Sequence, residues 1–283
     1  MLPNCIINGV AKSGTTSMYH YLKAHHQIFM SDRKELNYFS PSKSNRKLSN
    51  TVIKPVNSAE EYESYFVGSE NFKIRGEASP AYFSTPGSAA NIKREIPDAK
   101  FITTLRNPSE RAFSGYLMNI RGNTANEHDP EAFSADKHWV KLGLYYERLR
   151  EYYDVFDPSQ IKIVLLEDIQ SDKKKVLQDI FDFLNVDNNY NFEALDKVHN
   201  VGKLPKNYLL HNFINNNSFI TKTVRPKLPK TIKKFAKKLE SANYRKPEAM
   251  SDELRNRLND HYKDDIDKVQ NLIGRSLSIW KIE

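Results

Sequence analysis

The chain has 283 residues, 39% of them hydrophobic, with a formal net charge of +8 and one cysteine, Cys5. That length can bury a full core and falls short of a clear two-domain size, so one domain over 1–283 is expected. A lone cysteine excludes an intrachain disulfide framework, and neither a run of about 18 apolar residues nor a basic-then-apolar leader is present, so the expected setting is cytoplasmic.

Cys5-Ile-Ile-Asn-Gly-Val10 is a short apolar run that reads as a buried strand, and Thr16 to Leu22 reads as the helix after it. Between them runs Gly9-Val-Ala-Lys12-Ser13-Gly14-Thr15-Thr16-Ser17. Strand, glycine loop and helix form an anion-binding arrangement, because the free N–H groups and the dipole of a helix start both favour negative charge. The nucleoside-triphosphate version, G-x-x-x-x-G-K-[ST], puts lysine directly after the second glycine and a magnesium-holding hydroxyl next. Here Thr15 occupies the lysine's place, and the nearby cation, Lys12, stands two residues before Gly14. A sulfuryl group carries one negative charge fewer than a phosphoryl group, so a lysine and backbone donors can stabilise its transfer without magnesium. A glycine turn before a helix, with an exposed lysine, is the plainer reading of the same residues.

Gln27-Ile-Phe-Met30 reads as a short strand, followed by Asp32-Arg-Lys34-Glu35-Leu-Asn-Tyr-Phe39. Taken alone, Glu35 reads as a solvated loop carboxylate. Lys43 to Asn57 is polar and without periodicity, an expected exposed loop, and Ala59 to Phe66 is a short helix. Ile74 to Phe83 reads as a strand ending in a turn at Pro80. Phe101 to Leu105 is β-rich, Arg106-Asn107-Pro108 breaks it, and Ser109 to Ile120 is helical. Asn107 can cap that helix, Pro108 suits its first position, and Glu110 completes the spacing of a capping box. Arg106 thus leaves the carboxyl end of a strand while Ser114 lies two turns into the next helix, at the edge where open α/β sheets bind ligands. An ion pair of Arg106 with Glu110, and a neutral helix serine, are the alternatives.

Leu142 to Leu149 leads a helix toward Phe156, Ile161 to Leu166 is a strand, and Asp172 to Leu184 is a helix. Strands alternating with helices argue for a three-layer α/β fold, a central, mainly parallel sheet flanked by helices. Thr221 to Lys238 holds Lys222, Arg225, Lys227, Lys230, Lys233, Lys234, Lys237 and Lys238 with no acid, which equals the whole formal excess. Leu228, Ile232, Phe235 and Leu239 recur at three or four, so 221–240 is a basic amphipathic segment. A solvated face over the core, a surface for an acidic glycan, and peripheral membrane contact all fit it. Nucleic acid does not, because no recognised module appears and aromatics are not interleaved with the basic residues. No metal is expected, since the His199-Asn200 region lacks a second histidine and a carboxylate set.

The Lys12–Ser17 core resembles the 5′-phosphosulfate loop, K-[ST]-G-T-[ST], of sulfotransferases that use 3′-phosphoadenosine 5′-phosphosulfate (PAPS). Leu105-Arg106-Asn-Pro-x-x-Arg111-x-x-Ser114 resembles the same family's 3′-phosphate motif, and Lys34-Glu35-x-x-Tyr38-Phe39 resembles the K-E-x-x-[FY]-F segment of its glycan-type members. Glu77-x-Ser79-Pro80-x-Tyr82 resembles the E-x-S-P-x-Y segment near the acceptor cleft, and Leu254 to Trp280 the terminal helix and G-x-x-L-x-x-W. The resemblance implies a P-loop-like fold. It implies that Lys12 contacts the bridging or leaving oxygen between phosphate and sulfate, and that Ser13, Gly14, Thr15, Thr16 and Ser17 supply donors. It implies that Arg106 and Ser114 hold the 3′-phosphate, that Glu35 is the general base, and that Lys34 stands beside the sulfate or the acceptor. His199 to Lys206 sits where the family has a basic glycine loop over the adenine, but departs from its G-R-S-K-G-R form, so Gly202, Lys203 and Lys206 carry over weakly.

The expected function is sulfuryl transfer from PAPS to a hydroxyl or amine, on a carbohydrate or small-molecule acceptor, with adenosine 3′,5′-bisphosphate (PAP) as the product. A small-molecule or nucleoside kinase with a degenerate phosphate loop, and a non-catalytic PAPS- or polyanion-binding module, are the competing readings. If Glu35 is not the base, His20, His25 and His26 are the next candidates.

Overall fold

The computed structural model describes residues 1–41, 46–48, 51–121, 137–188, 204–205, 242–245 and 249–281. Five strands form a wholly parallel sheet: β1 (Cys5–Gly9), β2 (Ile28–Met30), β5 (Ile74–Ala78), β6 (Lys100–Leu105) and β7 (Ile161–Leu165), in the spatial order β2-β5-β1-β6-β7. β3 (Arg46–Leu48) and β4 (Thr51–Ile53) pair as a separate antiparallel hairpin. That corrects the loop expected over 43–57, where the β-branched run Thr51-Val-Ile is enough to favour extended pairing. β8 (Leu204–Pro205) and β9 (Tyr244–Arg245) form a second short pair.

The strands are apolar in both directions because both faces are covered. Along β1, Cys5 and Ile7 enter one core and Ile6 the other. The first core is packed by α1 (Thr15–Lys23), through Met18 and Leu22, and by α9 (Lys173–Leu184), through Leu177, Ile180 and Phe181. α2 (Ala59–Ser64), α3 (Ala81–Ser84), α4 (Ser88–Glu95) and α5 (Pro108–Arg121) all pack into the second core. It continues through α6 (Lys137–Lys141) to α7 (Tyr146–Tyr153) and the long α10 (Asp252–Ile273). The short α8 (Leu166–Ser171) follows β7 directly, so the helix expected from Asp172 is preceded by one more turn of helix. Burial of two apolar faces at about 25 cal/mol per Å² is the main term holding the three layers together.

The order β2-β5-β1-β6-β7 makes β1 and β6 the switch point: the chain leaves β1 toward β2 on one side, then returns to build β6 and β7 on the other. Their parallel register, Cys5 with Lys100 through Gly9 with Thr103, brings both carboxyl ends to one edge. A crevice opens where neighbouring strands send their chains in opposite directions. The register shifts between Ile7 and Gly9, and the strand ends are tied by Thr103 Oγ1 to Asn8 Oδ1 (2.7 Å), Thr104 Oγ1 to the Gly9 carbonyl (2.7 Å) and Val10 N to the Thr104 carbonyl (2.6 Å).

Candidate active site

The loop after β1 turns into α1 through two left-handed residues, Lys12 (φ 76°) and Gly14 (φ 86°). Glycine adopts that conformation at no steric cost, whereas in lysine it carries of order 1–3 kcal/mol of strain. Gly14 is the helix N-cap and no side chain caps it. The first bond into the helix is Met18 N to the Gly14 carbonyl (3.0 Å), so the amides of Thr15, Thr16 and Ser17 have no intrahelical acceptor. The Ser13 hydroxyl is buried with no hydrogen-bond partner among the described residues. Unmet donors around a helix start that also carries partial positive charge fit an oxyanion.

Arg106 follows β6 immediately and lies in the same crevice, its Nη1 3.5 Å from the Lys12 carbonyl oxygen. Burial pulls its pKa below the ordinary guanidinium value, and Glu110 opposes that shift. Its Nη2 lies 3.4 Å from Glu110 Oε2, so the ion pair weighed as an alternative exists. Arg255 of α10 also contacts Glu110, which shares that carboxylate between two guanidiniums. The capping box is only half formed. Asn107 Oδ1 accepts from Ser109 N (2.9 Å) and Glu110 N (3.2 Å), but the Asn107 amide goes to Glu167 Oε1 (2.8 Å) because the Glu110 carboxylate is held by the arginines. The motif is braced from outside by Tyr145 OH donating to the Arg106 carbonyl (2.9 Å), by Ser109 Oγ to Asn259 Oδ1 (2.6 Å), and by Asn107 Nδ2 to the Trp280 carbonyl (3.1 Å).

Ser114 is half-buried on α5. Lys12 Nζ reaches the same helix at Met118 Sδ (3.9 Å), one turn further on the face that Ser114 shares. Lys12 thus lies beside Arg106 and against α5 one turn beyond Ser114.

Glu35 sits in the segment that leaves β2, and its amide bonds to the Ala78 carbonyl at the end of β5 (2.8 Å). Glu35 (φ 59°) and Asn37 (φ 53°) are left-handed. With Lys12 they make three of the four non-glycine residues of positive φ among the described residues, and strain gathered this way is a mark of functional loops. Lys34 Nζ donates to Thr16 Oγ1 (2.6 Å) and lies 5.6 Å from the centroid of the Tyr19 ring. Burial lowers the pKa of Lys34, and neighbouring Glu35 pushes the other way.

The histidines held in reserve as bases lie elsewhere. They come at and after the carboxyl end of α1, away from its loop, and His25 is 1% exposed with its ring nitrogens engaged by the Asp187 carbonyl (2.8 Å) and the Gln27 amide (3.1 Å). Gly202, Lys203, Lys206 and segment 221–240 lie outside the described residues. Among the described residues no cluster of three or more His, Cys, Asp or Glu is placed to hold a metal ion, and no helix is long and apolar enough to cross a membrane. Glu167, Asn259 and Arg255 escaped the sequence reading, since the motif partners they serve are 60, 150 and 145 positions away.

Residues 2–272 match the family model described as "Sulfotransferase domain". The chain is 36% identical over 133 residues to the membrane-associated sulfotransferase kil1 of Dictyostelium discoideum, covering 47% of this chain and 26% of that protein. It is 26% identical over 203 residues to the heparan sulfate glucosamine 3-O-sulfotransferase 3B1 of Mus musculus, covering 65% of this chain and 46% of that protein. The chain thus spans a quarter to a half of the length of these curated relatives. A solved sulfotransferase from Alicyclobacillus acidocaldarius superposes with a TM-score of 0.73 at 24% identity over 99% of both chains, a likeness of fold. With the match running almost end to end and the motifs gathered at the switch point of the sheet, the chain belongs to the sulfotransferase family.

Proposed function

We propose that this protein is a PAPS-dependent sulfotransferase whose acceptor is a hydroxyl or amine of a carbohydrate. The observation that carries the reading is the meeting of two anion-binding elements at one crevice: Arg106 stands 3.5 Å from the backbone of the Lys12 loop, whose helix start has unmet donors. A nucleotide with phosphate groups at both its 3′ and 5′ positions matches that pair of sites, and PAPS supplies a sulfuryl group bonded to a phosphate oxygen. The naming of several relatives as heparan sulfate sulfotransferases supports a glycan acceptor.

In this reading each motif has its own task. The amides of Thr15 to Ser17 and the Ser13 hydroxyl bind the 5′ end, and Arg106 with Ser114 binds the 3′-phosphate. Lys12 and Lys34 offset the negative charge that grows on the leaving phosphate oxygen as the S–O bond breaks, a role supported by Lys12 belonging to the loop and Lys34 hydrogen-bonding to Thr16 of its helix. Glu35 takes the proton of the acceptor as its oxygen or nitrogen bonds to sulfur, so the base gains one proton and PAP departs with the electron pair. Lys34, bonded to Thr16, couples the base segment to the phosphate loop.

The family match favours this reading over a kinase with a degenerate loop, and a direct comparison tests it. Titration calorimetry with PAP against ATP plus Mg²⁺ is expected to give binding to PAP only. Transfer of label from PAPS across a panel of glycans, glycolipids and small alcohols is expected to mark a glycan. PAP binding with no acceptor labelled would favour the non-catalytic module.

A further inference from the structure

The penultimate residue of β5, Glu77, is a carboxylate that the mechanism above does not use. Glu77 is fully buried, yet no cation pairs with it among the described residues. Its oxygens accept three hydroxyl protons instead: Tyr62 OH (2.5 Å) and Tyr82 OH (2.9 Å) at Oε1, and Ser79 Oγ (2.6 Å) at Oε2. Two of those hydroxyls have a second duty. Ser79 Oγ accepts from the Asn37 amide (3.2 Å), and Tyr82 OH accepts from the Phe39 amide (3.4 Å). A hydroxyl has one proton, so a hydroxyl that gives it to a carboxylate presents only lone pairs to its other neighbours. Glu77 thereby fixes the polarity of both hydroxyls, and the hydroxyls hold alternate amides of the segment that starts at Glu35.

That segment needs holding. Glu35 and Asn37 have the left-handed backbone that relaxes unless the surroundings oppose it, and Asn37 Nδ2 returns to the Glu35 carbonyl (3.0 Å). Burying a carboxylate without a cation costs several kcal/mol of desolvation, offset among the described residues by hydroxyl donors alone. A single apolar residue would fill the same volume without that cost.

We propose that Glu77 is a positioning residue for the base: through Ser79 and Tyr82 it fixes the strained backbone of residues 35–39 and so aims the Glu35 carboxylate at the acceptor. This rests on Glu35 being the base. The test is a double-mutant cycle between Ser79→Ala and Glu35→Gln, with Glu77→Gln as a parallel arm and thermal unfolding to monitor the fold. Ser79→Ala keeps the buried carboxylate and two of its donors, so it reports on the link even if Glu77→Gln fails to fold. Rates are read as transfer from labelled PAPS to the acceptor identified by the screen above, and hydrogen exchange reads the Asn37 amide independently of any acceptor.

The expected result is faster exchange at Asn37, a kcat for Ser79→Ala reduced by about 5- to 20-fold with the KM for PAPS unchanged, and a further loss below about 2-fold in the Glu35→Gln background. Unchanged Asn37 exchange, or the same fold-loss from Ser79→Ala in both backgrounds, overturns the positioning role while leaving Glu35 as the base. A Glu35→Gln enzyme of near-normal rate overturns the base assignment itself, and the positioning role with it.

Discussion

The Lys34 ammonium donates to the Thr16 hydroxyl across 2.6 Å, which bonds the segment carrying Glu35 to the first turn of the phosphate-loop helix. The segment proposed to activate the acceptor and the loop proposed to bind the donor are thereby linked through one contact between residues 18 positions apart. Lys34 is also the residue whose pKa burial lowers and neighbouring Glu35 raises, so its charge answers to the surroundings of both segments.

Arg106→Ala is expected to weaken PAP binding by about 1.5–3 kcal/mol, the range of a charge-assisted hydrogen bond. Affinity for 5′-AMP, which lacks the 3′-phosphate, should hardly change. Titration of both nucleotides decides the matter, and equal losses would show that Arg106 does not read the 3′-phosphate.

Glu35→Gln preserves size and reach but cannot accept a proton at neutral pH. The transfer rate is expected to fall by about 10²–10⁴, with PAP affinity intact. Single-turnover kinetics with labelled PAPS measures the chemical step directly. Retention of more than about a third of the rate would send the search for a base elsewhere. His25 would be a poor next choice, being buried and engaged on both ring nitrogens.

Burial lowers the pKa of Lys34, so between its folded value and 10.5 the folded protein holds fewer protons than the unfolded chain. The desolvation cost is therefore full at lower pH and relieved as pH rises through that window, where stability increases. An anionic ligand reverses the shift and takes up a proton, so PAP affinity should decline as pH rises in the same window. Binding measured against pH should show that decline in wild type and lose most of it in Lys34→Arg, whose charge does not titrate there.

Chelation should leave activity unchanged, because Thr15 replaces the lysine that precedes the magnesium-holding hydroxyl in nucleotide triphosphatases. An assay with EDTA, then with added Mg²⁺, checks this. Loss in EDTA and recovery with Mg²⁺ would contradict the mechanism proposed above.

Gly14→Ala should lower stability by about 1–2 kcal/mol, the usual cost of a left-handed backbone in a residue with a Cβ. The added Cβ would also lie 2.9 Å from Leu166 Cδ1, so the neighbour must shift. Urea unfolding gives the change in stability, and PAP titration is expected to show a parallel loss of affinity because the helix start moves.

How much was legible in advance can be judged from particular residues. The run Cys5 to Val10, the turn at Gly14 and the break at Asn107-Pro108 are local signals, since apolar periodicity, missing Cβ atoms and a missing N–H act within a few residues. They were sufficient for the strand–loop–helix units, and the motifs carried on those units pointed to Lys12, Glu35 and Arg106. The switch point was not legible, because the order β2-β5-β1-β6-β7 depends on which faces pack together. The left-handed backbone of Lys12, Glu35 and Asn37 was not legible either. No local preference favours it in lysine or glutamate, and it persists only where distant contacts oppose relaxation, as Ala78 and Ser79 do for Glu35 and Asn37. Glu110 makes the same point, since its spacing suits a capping box but its carboxylate is drawn away by Arg106 and Arg255. Sequence determined the local units and which residues are candidates for the chemistry, through rules that act over a few positions, and tertiary structure decided their partners, because a buried charge or hydroxyl bonds to whatever the packed layers bring within about 3 Å.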